Sequence, residues 1–333
     1  MKRVCYKVFI KQLIIKDLLG KDSQRGISLT YAWLANQLGH FSLGFIPSIV
    51  LSSIFSTQKS PMYFSTAVIL FWLVFEIINL TLPILIKTKK RSFKPEWNHL
   101  IFDTITDLLY FGLGSLVSAF ILTQSNSIGY YVILLLFLLF FPFVYWYTLR
   151  IYQQYAFFPF QFRLSQWIGN IDEQEKEIIL NYIKKTSYDE YNHLLIFGNV
   201  NEGKTNLGVA IANELALKKR ACTYITATKL YSLLFKNIDN KDLLWNWVNC
   251  NFLVIDDINP DNLKHNTIIT PTDFLRYVDK FTPIDSNNRN ILKTKNIIWV
   301  LGSNEKTQKE QWFKVLETIG VAPKNIFSVN LSD

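Results

Sequence analysis

Two regimes of hydrophobic patterning divide the chain. Up to about residue 150 the apolar residues come in four long runs, at about 30–55, 62–86, 101–123 and 129–149. Each is near the length that crosses a hydrocarbon core of about 30 Å. The fourth, from Tyr130 to Leu149, carries no charge, and Tyr130, Tyr131, Tyr145, Trp146 and Tyr147 at its ends fit an interfacial belt. From residue 193 onward, short continuous apolar runs alternate with helical spacing. His193–Phe197, Thr223–Thr226, Asn251–Asp257, Asn296–Asn304 and Ile326–Leu331 read as strands. Leu207–Ala216, Ala227–Phe235, Thr272–Phe281 and Lys306–Ile319 read as helices. Buried strands alternating with helices predict a parallel sheet covered on both faces.

The stretches flanking these regimes are less regular. Residues 1–28 mix Lys and Arg with Phe9, Ile10, Ile14 and Leu18. That pattern fits either an amphipathic helix lying on a membrane surface or a plain basic tail. Between the regimes, Phe157-Phe158-Pro159-Phe160 is an aromatic stretch in which Pro159 stops any continuous helix. Asp172 to Lys185 then reads as an amphipathic helix. The expected organisation is a basic segment over 1–28, a four-helix transmembrane domain over 29–150, a juxtamembrane linker helix over 151–190 and an α/β domain over 191–333.

Composition supports this division. Half of the 333 residues are apolar and mean hydropathy is +0.15, which is unusual for a wholly soluble protein. Nearly all of the net charge of +9 falls in the first 150 residues, and the remainder is close to neutral. A nucleic-acid partner is disfavoured, because it calls for a basic face on the α/β half. The basic residues cluster at the N-terminus (Lys2 to Arg25), between the second and third runs (Lys87 to Lys94) and after the fourth (Arg150), against Lys59 alone in the other loops. Under the positive-inside rule both termini are cytoplasmic in a multi-pass protein of a bacterial inner membrane, in contact with its lipids. Cys5, Cys222 and Cys250 are scattered without metal-ligand spacing and read as reduced thiols.

Four ionisable residues interrupt the apolar runs: His40, Glu76, Asp103 and Asp107. Asp103 and Asp107 stand one helical turn apart on one face. Nearby, Gly112 and Gly114 would allow close helix approach. Polar residues at such depth face a bundle interior and are functional candidates by default. They fit a polar network that locks the bundle, a metal, proton or ligand site, or side chains that never meet. With His40-Phe41 and Gly44 on the first run, Glu76 on the second and Asp103-Thr104 with Asp107 on the third, the spacing resembles the VanZ-like group of small bacterial membrane proteins.

The α/β half carries the clearest chemistry. Gly198-Asn199-Val200-Asn201-Glu202-Gly203-Lys204-Thr205 has the P-loop form, between an apolar strand and a helix. Backbone amides and the helix N-terminus in such a loop surround phosphate oxygens. Lys204 would reach the β/γ-phosphates of ATP, and the Thr205 hydroxyl would hold Mg²⁺. In a parallel sheet, ligands gather at the carboxyl ends of the strands. Asp256 and Asp257 therefore meet the P-loop there, Asp256 as a second Mg²⁺ holder and Asp257 as the base orienting the attacking water. Asn304, at the end of its own strand, is placed to touch that water or the γ-phosphate.

Phe252-Leu253-Val254-Ile255-Asp256-Asp257-Ile258 looks like the Walker B segment of the AAA+ ATPases, in the clade of replication initiators, helicase loaders and transposase-accessory ATPases. Asn304 matches that family's sensor 1 position. The resemblance covers about residues 190–331 and implies strand order 5-1-4-3-2. No arginine follows Arg289, so the usual arginine finger and sensor 2 arginine have no counterpart. The fifth strand closes the sequence, leaving no expected helical lid. An unidentified protein partner would then supply the finger, and oligomerisation stays open. The expected function is a membrane-anchored ATPase that slowly hydrolyses Mg-ATP to drive or switch a membrane process. Two alternatives remain: an ATP-binding switch or scaffold that does not hydrolyse, and a small membrane enzyme or transporter regulated by ATP.

Overall fold

The computed structural model describes residues 4–20, 26–55, 58–85, 92–185, 191–199, 201–234, 245–258, 270–279, 285–302 and 306–331. They form two compact units. One holds the described residues of 5–90 and 95–151, and the other those of 1–4, 91–94 and 152–333.

The first unit is helical. It opens with α1 (Tyr6–Ile10), which runs directly into a π-helical stretch, Lys11–Leu18. The N-terminal segment is thus helical rather than a plain tail. Asp17 anchors it: the carboxylate is buried and accepts from Tyr147 Oη (2.7 Å), Gln12 Nε2 (3.0 Å) and Ser28 Oγ (3.1 Å). Three donors replace the water that a buried carboxylate gives up. Ser28 also caps the next helix by accepting from the Tyr31 N–H.

Four long helices follow: α2 (Leu29–Ile54), α3 (Pro61–Leu85), α4 (Trp97–Thr123) and α5 (Asn126–Gln154). All four are long and apolar enough to cross a membrane. The tightest contact joins α2 to α4. A Cβ added at Gly44 would overlap the Phe111 carbonyl, and one added at Gly114 would overlap the Phe41 carbonyl. The two backbones touch, and glycine is required at both places. Gly112 takes no part in this approach, since a Cβ there would sit 3.6 Å from Leu135, an ordinary contact. Ser115 Oγ donates to the Gly44 carbonyl (3.1 Å), and Ser65 Oγ ties α3 to the Ser115 carbonyl (2.9 Å). Trp72 of α3 lies flat on Phe111 (ring centroids 4.4 Å apart) and donates to the Leu43 carbonyl (3.0 Å).

The second unit begins with an irregular segment and α6 (Glu173–Lys185), then alternates. Its strands are β1 (His193–Phe197), β2 (Cys222–Thr226), β3 (Phe252–Asp256), β4 (Asn296–Val300) and β5 (Ile326–Asn330). Its helices are α7 (Lys204–Leu217), α8 (Ala227–Leu234), α9 (Pro271–Asp279), α10 (Asp285–Lys293) and α11 (Lys306–Ile319). All strands are parallel, in the order β2-β3-β4-β1-β5. Read from the other edge, this is 5-1-4-3-2. The three central strands are buried at every position, as continuous apolar runs require, while the edge strands β2 and β5 are buried only in part. Trp299, Trp312 and Phe274 fill the core on one face. Strands β1 and β2 end where expected and β3 and β5 one residue early, while β4 stops at Val300, short of Asn304, which lies outside the described residues. Helix α10 is an addition to the expected elements, since Asp285-Ser286-Asn287-Asn288-Arg289-Asn290 offers no apolar periodicity.

His193 is fully buried in β1. Its Nδ1 accepts the Trp299 indole N–H at 3.1 Å, and burial pushes its pKa down to about 3. An unfolded imidazole titrates near 6.5, so the native chain binds fewer protons than the unfolded one below that value. Stability is therefore full above the unfolded pKa and is lost as pH falls toward the folded one. Between pH 7 and pH 5 the loss from this group should be about 2 kcal/mol, read as a drop in melting temperature of the detergent-solubilised chain. His193→Gln should remove that part of the pH dependence. In the helical unit, Gly114→Leu should separate α2 from α4, lower the melting temperature of that unit and leave nucleotide binding in place.

Candidate ATP site

The loop between β1 and α7 turns on Gly203, whose φ of 80° lies in the left-handed region that costs an L side chain about 1–2 kcal/mol. Asn201, at φ 68°, is one of the residue types that tolerate that region. Helix α7 starts at Lys204, directly after the turn, so its N-terminal amides and positive dipole end border the loop. Lys204 Nζ donates to the carbonyls of Gly198 (2.7 Å) and Asn199. The Asn199 N–H and Nδ2 both donate to the Glu202 carboxylate, the latter at 3.0 Å. That carboxylate occupies the place at the loop amide that an anionic ligand oxygen would take. Glu202 must therefore withdraw before a phosphate can take the same N–H. Val200 lies outside the described residues.

Helix α7 lies close on the sheet because Gly208 faces it. A Cβ there would stand 3.0 Å from Val300 Cγ2, with Ile298 and Val254 next nearest. This seating sets Thr205, almost one turn earlier, beside the end of β3. Thr205 Oγ1 donates to Asp256 Oδ1 at 3.2 Å. A hydroxyl that gives its proton to a carboxylate keeps oxygen lone pairs for a cation, and hard oxygen donors suit Mg²⁺. The residues present therefore fit Mg²⁺ with a triphosphate. Thr205 and Asp256 would hold the metal, while Lys204 and the loop amides would hold the phosphates. When bound, the metal would offset the charge that develops on the phosphate oxygens.

Asp256 is only 2 % exposed and is held on every side. Its Oδ1 also accepts the Asp257 N–H (2.8 Å), and its Oδ2 accepts Tyr224 Oη (2.6 Å). Asp257 follows at φ 56°, a turn that leaves it largely exposed at the strand end. Partial burial and then the neighbouring Asp256 charge raise its pKa above the ordinary carboxylate value. Such a shift moves a carboxylate toward the range in which it acts as a base.

Residues 152–172 strap this site together, and their role was not evident from local patterning. Gln153 Nε2 donates to Asn213 Oδ1 (2.8 Å), Asn213 Nδ2 to the Phe162 carbonyl (2.9 Å), and Arg163 forks onto Glu214 (2.7 and 3.3 Å). The Tyr224 N–H donates to the Ala156 carbonyl (2.8 Å), so the strap also covers the β2 edge. Trp167 is buried, and its indole N–H donates to the Gly203 carbonyl at 3.2 Å, directly at the P-loop. Ser92 and Phe93 join the same unit: Ser92 Oγ donates to the Gly169 carbonyl (3.0 Å), and Phe93 meets Trp167 edge-on.

Residues 164–292 match the family model of the bacterial DnaA ATPase domain. The match supports an AAA+ ATPase core that binds ATP. It begins at Leu164, so Trp167 and the second half of the strap fall within the matched region, and it ends at Leu292, before β4. No curated protein matches the chain. Arg289 lies inside the matched region and is committed elsewhere: it pairs with Asp279 at 2.5 Å and donates to the Thr318 carbonyl (3.2 Å).

In the helical unit, His40 Nε2 lies 3.4 Å from Asp107 Oδ1 and 3.0 Å from Asn36 Nδ2. The carboxylates of Glu76, Asp103 and Asp107 are within electrostatic reach of one another. The helices α2, α3 and α4 thus bring these four side chains into one region. Among the described residues, no group of three or more His, Cys, Asp or Glu side chains is arranged to hold a metal ion.

Replacing Lys204 removes the charge that the loop carbonyls now hold in place. Lys204→Ala should abolish binding of a fluorescent ATP analogue while leaving the helical content and extraction behaviour of the chain unchanged.

Proposed function

We propose that this protein is an inner-membrane ATPase of the AAA+ type, with four spans and a cytoplasmic P-loop domain. The observation that carries the reading is the hydrogen bond from Thr205 to Asp256. It joins the P-loop to the strand-end carboxylate, which also accepts the Asp257 N–H, an arrangement suited to holding Mg-ATP and orienting a water. Membrane insertion is supported by the four long apolar helices and by the concentration of Lys and Arg on one side of them. Phosphoryl transfer needs positioning and charge neutralisation more than covalent chemistry, so Lys204, Thr205, Asp256, Asp257 and Asn304 suffice for slow turnover. Arg289 is engaged with Asp279 and Thr318, which favours a partner protein as the source of a stimulating arginine. The near-neutral net charge of the P-loop half weighs against a nucleic-acid partner.

The connector between α3 and α4 contributes residues 92–94 to the unit that holds the P-loop. Phe93, on that connector, rests on Trp167, and Trp167 holds the Gly203 carbonyl of the P-loop. The second reading, an ATP-binding switch that does not hydrolyse, is favoured by the same engagement of Arg289.

Steady-state phosphate release by the detergent-solubilised chain separates the two. Asp257→Asn should lower the rate by roughly 100-fold or more if Asp257 acts as base. The acid limb of the wild-type pH profile should lie above the ordinary carboxylate range near pH 4, as the raised Asp257 pKa requires. Equal rates for the two chains leave the switch as the function.

A further inference from the structure

We propose that Tyr224 is a positioning residue for the metal-holding carboxylate, fixing Asp256 so that Oδ1 stays turned toward Thr205. This rests on the ATPase reading above. Of the two Asp256 oxygens, Oδ1 receives both Thr205 and the Asp257 N–H, while Oδ2 receives Tyr224 Oη at 2.6 Å. That separation is in the range of a charge-assisted O–H···O⁻ bond, stronger than the 3.2 Å contact from Thr205. The terminal torsion of an aspartate is soft, so donors on one oxygen alone leave the carboxylate free to swing. A second anchor on the opposite oxygen sets its plane.

Sheet geometry explains why a tyrosine does this. β2 and β3 run parallel with Tyr224 beside Val254 and Thr226 beside Asp256. Two residues of strand span roughly 6.6 Å, close to the reach of a phenol from its own backbone. The Tyr224 hydroxyl therefore arrives at the carboxylate two positions along the neighbouring strand, and a phenylalanine would stop short of it. Tyr224 is itself fixed, because its backbone N–H is bound to the Ala156 carbonyl. A phenol is protonated at neutral pH, so Tyr224 is the donor in its bond to Asp256. A continuous series of contacts runs from Ala156 through Tyr224 and Asp256 to Thr205.

The experiment is binding of fluorescent ADP by the full chain in detergent, titrated with Mg²⁺ and repeated in EDTA. Tyr224→Phe should raise the Mg²⁺ concentration at half-saturation about 10-fold, the scale of one hydrogen bond to a charged group, and leave the EDTA affinity unchanged. In an Asp256→Asn background, Tyr224→Phe should add nothing. The isosteric 3-fluorotyrosine at position 224 keeps the fold and donates more strongly, and it should lower the Mg²⁺ midpoint. An unchanged midpoint in both variants overturns the assignment, as does a matching loss in EDTA, which would make Tyr224 a support of the fold alone. If the wild-type chain binds no nucleotide in either buffer, the ATPase reading fails and this assignment fails with it. Nucleotide binding with Mg²⁺-independent variants overturns this assignment only.

Discussion

The hydrogen bond from Thr205 to Asp256 depends on how closely α7 can lie on the sheet. Thr205 belongs to the helix that follows β1, Asp256 ends β3, and β4 runs between those strands. Only a helix that crosses the sheet at close range brings its first turn over the end of β3. Gly208 permits this by presenting no side chain to Val300, Ile298 and Val254. The two charged or polar ends then meet where the apolar strands run out. That close seating brings the start of α7, with Lys204 and Thr205, to the carboxylate that ends β3.

The seating is reinforced from outside. The segment after α5 binds the buried Asn213 and Glu214 of α7 and covers the β2 edge through Ala156. An uncovered edge strand would present unpaired amides and invite association with other strands. The same segment carries Trp167 to the carbonyl of the P-loop glycine. One stretch of irregular chain thus closes a sheet edge, clamps the helix that bears the site and touches the loop that would hold phosphate. It belongs to the same compact unit as the sheet, and the family match begins within it, at Leu164.

Much of this could be read from the residues before the structure was known. Continuous runs such as Leu194-Leu195-Ile196 and Leu253-Val254-Ile255 mark strands buried on both faces, and the glycine and lysine spacing marks the loop between β1 and α7. Helix α10 was not legible, because its polar sequence owes its helical state to Leu292 in the core and to the Arg289–Asp279 pair, both tertiary effects. Tyr224 gave no local sign either, since its meeting with Asp256 depends on the register of two strands separated by a helix. Trp167 reads as one more aromatic residue in an aromatic stretch, and only three-dimensional contact distinguishes it. In the helical unit the polar residues could be picked out by their cost in an apolar run, yet the choice between Gly112 and Gly114 could not. That choice depends on which side of α4 meets α2.

The contact of Gly44 and Gly114 with opposing carbonyls has a mechanical consequence. Two helices whose backbones touch have no layer of flexible side chains between them to absorb sliding or rolling. Displacing one against the other would drive main-chain atoms into overlap. The pair α2 and α4 therefore moves as a single rod, with Trp72 of α3 stacked on its Phe111. Rearrangement within the bundle must come from α3 and α5, which meet that rod through side chains able to change rotamer.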